Sequence, residues 1–176
     1  MPRFKPIPKD EDRNVTDPER ASKKTFDCAV NLLTFKPRSE KELRTRLLEK
    51  PWTNAEIVEG VIEKLKKYGY IDDEDFALGL ALSKLRQKPV GRYRLQQELK
   101  RKKLDEKTID SALDEAFEEI PEEDLIDRAI EKRIRTKGEP KDRADKKRLF
   151  DHLGRLGFGY DLIRDRLESI RTEDDP

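Results

Sequence analysis

The sequence predicts an all-α protein of three tandem three-helix repeats forming an elongated, curved molecule. One set of five apolar positions recurs three times along the chain. Capping residues and proline or glycine breaks recur between apolar stripes at helical spacing. Charged residues make up 45% of the 176 residues and hydrophobic ones 34%, a balance that suits small helical modules with much surface per residue.

The repeat aligns Leu43, Leu95 and Leu149. Four residues on stand Leu47, Leu99 and Leu153, then Trp52, Leu104 and Phe158, then Ile57, Ile109 and Ile163, then Val61, Leu113 and Leu167. The pattern reads L-x3-L-x4-[WLF]-x4-I-x3-[VL]. The paired leucines form the inward stripe of the second helix in each unit. The third and fourth positions take the N′ and N4 places of the third helix, a hydrophobic staple that fixes the turn between the two. Units with such small cores stack end to end.

In chain order, residues 1–20 carry Pro2, Pro6, Pro8 and Pro18 among charges and read as a flexible tail, with Phe4, Ile7 and Val15 available for weak docking. The first repeat covers 21–70. Its first helix runs from about Ser22 to Phe35. Its second opens on the capping box Ser39-x-x-Glu42 and runs through Lys50, and its third opens on Thr53-x-x-Glu56 and reaches Tyr68. The second repeat covers 71–120, with helices at Ile71–Gln87, Arg92–Lys103 and Asp105–Glu119. The third covers 121–171, with helices at Leu125–Thr136, Asp142–Leu156 and Tyr160–Ile170. Residues 172–176 form an acidic tail.

The corner between repeats one and two is Gly69-Tyr70-Ile71-Asp72-Asp73-Glu74-Asp75-Phe76. Gly69 suits the left-handed residue that closes a helix, and Asp72 suits the N-cap of the next. Asp73, Glu74 and Asp75 sit where the helix dipole favours negative charge, and Ile71 with Phe76 has staple spacing. A Ca²⁺ loop is disfavoured, because the required glycine and the spaced oxygen ligands are missing. Gly69, Tyr70, Ile71, Asp72, Asp73 and Phe76 are therefore structural residues.

These residues resemble the RecX family, regulators of the RecA recombinase, over about residues 25–170. The resemblance rests on Ala29-Val30-Asn31-Leu32-Leu33 followed by Ser39-x-x-Glu42-Leu43, and on Gly69-Tyr70-Ile71-Asp72-Asp73-x-x-Phe76-Ala77. It rests also on Gly91-x-x-Arg94-Leu95-x-x-Glu98-Leu99, and on Gly157-Phe158 followed by Ile163-x-x-x-Leu167. Where the family usually has Lys-Gly before the apolar residue opening the third helix, this chain has Lys50-Pro51-Trp52 and Lys102-Lys103-Leu104. The resemblance implies three tandem three-helix repeats binding in the groove of the RecA–DNA filament. It implies modulation, usually inhibition, of filament growth, ATP hydrolysis, strand exchange and LexA cleavage. Single- or double-stranded DNA would be touched only within the filament, and a monomer is expected.

The residues offer no catalytic constellation, cofactor motif or metal-ligand spacing. His152 is the one histidine and reads as boundary packing. Cys28, the one cysteine, lies between Phe26 and Val30 and suits an apolar site in a reducing cytoplasm. No apolar run approaches membrane-spanning length. The net charge is +1, but its distribution is uneven. Between Arg92 and Lys103 six basic residues face one acid, while ten acids face Lys107 between Asp105 and Asp124. With Leu95 and Leu99 inward, Tyr93, Gln97 and Arg101 point outward, flanked by Arg92, Arg94 and Lys100. The third repeat offers Lys147, Arg148 and Arg155, and the first a mixed face with Arg44 and Arg46. Such a face suits phosphate, an acidic protein surface or plain solvent. The leading expectation is a non-enzymatic regulator of the RecA filament. The alternatives are a DNA-binding protein of helix-turn-helix-like repeats acting without RecA, or a helical scaffold for another partner.

Overall fold

The computed structural model describes residues 15–170, which hold nine helices and no strand. They are α1 (Pro18–Phe35), α2 (Glu40–Leu48), α3 (Ala55–Lys67), α4 (Asp73–Gln87), α5 (Arg92–Lys100), α6 (Glu106–Glu119), α7 (Glu122–Lys137), α8 (Arg143–Arg155) and α9 (Tyr160–Glu168). The expected docking residues Phe4 and Ile7 and the acidic end from Thr172 lie outside the described range. The described residues form two compact units, one reaching to Phe76 and including Lys102–Leu104, the other made of Ala77–Arg101 and the residues from Asp105 on.

In the first unit α1, α2 and α3 pack on one another around Ala29, Leu43, Leu47, Val58, Ile62 and Leu65, all fully buried. Cys28 is half-buried against this core. In the second unit α5 packs on α6, and α7, α8 and α9 pack together. Of the fifteen repeat positions, thirteen are buried. The two exceptions, Trp52 and Ile57, are half-buried and belong to the first copy.

The exceptions share one cause. The residue before the third repeat position is left-handed in the later copies, with φ 59° at Lys103 and 90° at Gly157. In the first copy that residue is Pro51, whose ring holds φ near −65°. The corner is therefore built differently, and the cap of α3 is Asn54, whose side chain accepts from the Ile57 N–H at 2.9 Å. This corrects Thr53 as the cap: Trp52 and Ile57 become N″ and N3, one place off the staple register. In α6 and α9 the caps are Asp105 and Gly159, so Leu104 with Ile109 and Phe158 with Ile163 do hold the N′ and N4 places. A second correction concerns α1. It starts at Pro18, four residues before the expected Ser22, because Asp17 accepts from the Arg20 N–H at 3.0 Å and Pro18 takes the first helical turn. The Ser39 box is half made: Ser39 accepts from the Glu42 N–H at 3.2 Å, while the Glu42 carboxylate lies 3.6 Å from Lys102 Nζ.

The corner at Gly69 forms as expected. Gly69 has φ 70°, and the Tyr70 and Gly69 N–H groups donate to the Leu65 and Lys66 carbonyls, both at 2.9 Å, the paired bonds of a Schellman cap. Asp72 Oδ1 accepts from the Glu74 and Asp75 N–H groups at 2.9 and 3.0 Å. Asp73 does something else. Its Oδ1 accepts from the Glu40 N–H at 2.8 Å, closing the start of α2. The same bond recurs in the second unit, where Glu122 Oε1 accepts from the Arg92 N–H at 2.8 Å and closes α5. In both cases the first residue of one helix caps the helix two places before it in the chain, α4 capping α2 and α7 capping α5.

Within the second unit the start of α5 lies directly on the end of α8. The Gly91 N–H donates to the Leu156 carbonyl at 2.9 Å, and the Tyr93 N–H to the Gly157 carbonyl at 3.2 Å. A methyl group on Gly91 would run into the Gly157 carbonyl and the Phe158 nitrogen, so glycine is the residue this approach admits.

Three stability outcomes follow. Asp73→Ala is expected to lower unfolding free energy by about 0.5–2 kcal/mol, the worth of a helix cap, in urea titrations followed by circular dichroism. Gly91→Ala is expected to cost about 3 kcal/mol or more, because backbone atoms on both sides leave nothing to rotate away. Gly154→Ala, in open space on α8, is expected to gain about 0.5–1 kcal/mol.

Candidate functional site

α5 is a short amphipathic helix. Leu95 and Leu99 are fully buried, and Tyr93 on the other side is 67% exposed. The basic residues around Tyr93 divide into held and open ones. Arg92 is held: its guanidinium meets Asp114 Oδ1 at 2.5 Å and lies 6.0 Å from the Phe117 ring centroid. Lys100 lies 3.5 Å from Glu106. Arg94 is loosely tied, 3.8 Å from Glu98 and donating to the Arg155 carbonyl at 3.4 Å. Gln97 is half-buried. Arg101 is exposed and makes no ion pair among the described residues.

On α8, Arg148 is held by Asp145 at 2.6 Å, while Lys147 and Arg155 are exposed and free of ion pairs among the described residues. The structure thus brings Arg94 and Arg155 together. Lys147 stands eight residues back from Arg155, about 12 Å along the helix. In the first unit Arg44 is clamped by Glu59 at 2.6 Å and Glu40 at 2.8 Å, and Arg46 lies 3.2 Å from Glu49. That mixed face is satisfied internally. At the corner, Tyr68 and Tyr70 are both more than half exposed and meet edge to face, with centroids 6.5 Å apart.

Beside Arg94 lies a cleft of about 210 Å³. Lys88, Pro89 and Val90 from the α4–α5 link form one wall. Ala129, Lys132, Arg133 and Thr136 from α7 form another, and His152 from α8 and Leu156 just after it close it. His152 is half-buried here, and burial pushes its pKa down, helped by the Arg133 and Arg155 charges. Sequence reasoning passed over Lys88, Lys132 and Arg133, because each belongs to a different stretch and only the fold assembles them. Among the described residues no group of His, Cys, Asp or Glu could hold a metal ion, and no helix is long and apolar enough to cross a membrane.

Residues 26–65 match the family model described as RecX, first three-helix domain, and residues 72–113 match RecX, second three-helix domain. The chain is 34% identical over 148 residues to the "Regulatory protein RecX" of Chlorobium phaeobacteroides, covering 84% of this chain and 94% of that protein. It is 33% identical to the one from Pelodictyon phaeoclathratiforme, covering 89% and 93%. In fold it is similar to the crystal structure of RecX from Lactobacillus salivarius, with a TM-score of 0.77, 19% identity, and coverage of 86% of this chain and 97% of that one.

Glu122, which seats α5, adds a pH dependence. Its carboxyl is half-buried, and burial pushes its pKa up against the lowering effect of the Arg92 N–H and charge. A carboxyl whose folded pKa exceeds its unfolded one binds its proton more tightly in the native state. Stability then falls as pH rises from the unfolded value through the folded one. Glu122→Gln keeps an acceptor for the Arg92 N–H and removes the buried charge. Its stability relative to the unchanged protein is expected to grow as pH rises from below the ordinary glutamate range to neutrality, in urea titrations across that range.

Proposed function

Because the chain belongs to the RecX family of regulatory proteins, we propose that it binds the RecA nucleoprotein filament and inhibits its ATPase, strand-exchange and LexA coprotease activities. The protein acts by binding, as a cytoplasmic monomer in recombination and the SOS response. Its three repeats, 21–70, 71–120 and 121–171, bind together, so that individually weak contacts suffice. DNA is met inside the filament.

The observation that carries the reading is the exposed side of α5. Tyr93 stands 67% exposed on a helix whose other side is buried, and Arg101 stands clear of ion pairs on the helix end that follows. Exposed tyrosine and arginine are the residue types over-represented at protein–protein hot spots. Arg155 and Lys147 extend the face along α8, while Arg92, Lys100 and Arg148 are held by acids of the same unit and serve its packing.

The test is the DNA-dependent ATPase of RecA in the presence of the protein. The double variant Tyr93→Ala, Arg101→Glu is expected to inhibit at least about tenfold less well than the unchanged protein, with helicity and urea midpoint preserved. Arg92→Glu is expected to cost stability before it costs inhibition. Full inhibition by the double variant would remove this face from the mechanism.

A further inference from the structure

The cleft beside Arg94 gathers cations without acids. Several bases of the second unit elsewhere pair closely, as in Lys84 with Glu98 at 2.8 Å and Arg86 with Glu119 at 2.7 Å, and the unpaired Arg101 and Lys147 stand outside the cleft. In the cleft four cationic side chains, Lys88, Arg94, Lys132 and Arg133, converge from three parts of the chain, and no acid lines it. Lys88, Lys132 and Arg133 make no ion pair among the described residues. Arg94 has the long contact to Glu98 and a 3.4 Å bond to the Arg155 carbonyl.

Concentrating like charge around a partly dry wall is unfavourable unless an anion relieves it. We propose that this cleft is a binding site for a phosphate ester, with the phosphate of a nucleotide between Arg94, Lys132 and Arg133 and its sugar against Val90 and Leu156. The inference is independent of the filament reading and needs no RecA.

The chemistry favours phosphate over a carboxylate. A carboxylate offers two oxygens and one charge, which a single arginine satisfies bidentately. A phosphate offers more acceptor oxygens, matching donors that arrive from several directions. Both arginine and lysine are present, and arginine suits the planar fork on two oxygens while lysine supplies a point charge. The size sets the ligand. At about 210 Å³ the cleft falls below the ~300 Å³ of a typical small-molecule pocket, so it holds a phosphate and its sugar and leaves a base outside. The apolar wall of Pro89, Val90, Ala129 and Leu156 explains why a phosphate ester is preferred to the free ion.

The fold keeps the cleft open in one shape. A methyl group on Gly157 would press into the Arg94 backbone and Cβ, so the bare glycine sets how closely the Arg94 edge approaches Leu156. His152 is the sole histidine of the chain, and its ring therefore reports on the cleft without labelling ambiguity.

The experiment follows the His152 ring signals by NMR in the full chain alone. It is titrated in turn with inorganic phosphate, adenosine monophosphate, a short oligothymidylate and a polyglutamate peptide. Saturable movement of the His152 signals with a nucleotide or the oligonucleotide is expected, with weaker movement for inorganic phosphate. Lys132→Ala and Arg133→Ala are each expected to weaken that affinity about tenfold, and Lys107→Ala, on α6, to leave it unchanged. A response to the mononucleotide identifies free nucleotides as the source, and a response to the oligonucleotide alone identifies the nucleic-acid backbone. Either supports the site. No movement, a stronger response to polyglutamate, or equal affinity in the Lys132 and Arg133 variants would overturn it.

Discussion

A carboxylate borrowed from the first residue of α7 closes the start of α5, and much of the second unit follows from it. Gly91 precedes the helix because only a bare backbone fits against Gly157. A glycine has no side chain to satisfy the first amide groups of a helix, which must find partners elsewhere. Glu122 supplies one from 30 residues away. To reach the Arg92 N–H it must be half-buried, and that burial raises its pKa. Close packing, loss of a local cap and a perturbed carboxyl form a single chain of causes. Asp73 repeats the bond to α2 across 33 residues, although Ser39 is there to cap that helix as well.

The basic residues divide along the same lines. Arg92, Lys100 and Arg148 look alike in sequence to Arg101, Lys147 and Arg155, yet the first three sit on acids of neighbouring turns or helices. Exposed pairs of this kind contribute little to stability, but they hold long side chains in place and lower the net charge a partner meets. The acidic run on α6 thus neutralises part of α5 through Asp114 and Glu106. What is left uncovered is smaller and more local than a count of lysines and arginines suggests.

Helix order, the inward leucines and the Gly69 corner were legible from residue spacing, because each depends on neighbours a few positions apart. Asp72 as a cap and Gly69 as a left-handed residue are local choices of this kind. The misread points were also local, but contested. Thr53 and Asn54 both suit a cap, and Pro51 decides between them by forbidding the turn that the later copies use. Pro18 reads equally as a tail residue or a first-turn proline until Asp17 is seen to cap it. The long-range caps and the cleft were not legible. Glu40 with Asp73, or Lys88 with Lys132, meet only after helices have packed, and nothing in their own neighbourhoods marks them. Lys103 is a middle case: its position called for glycine, and the chain holds a left-handed lysine there with its Nζ 3.1 Å from Thr45 Oγ1.

The meeting of Gly91 and Gly157 also limits how this chain can vary. Most tight contacts can be relieved from either side, since a larger residue is tolerated once its neighbour becomes smaller. At Gly91 the residue opposite is already glycine, and the crowding atoms, of Gly157 and Phe158, are main chain. No side-chain change opposite Gly91 can restore what its substitution takes away. The joint is a fixed point around which the helices on either side are free to exchange their charges, their loops and their exposed aromatics.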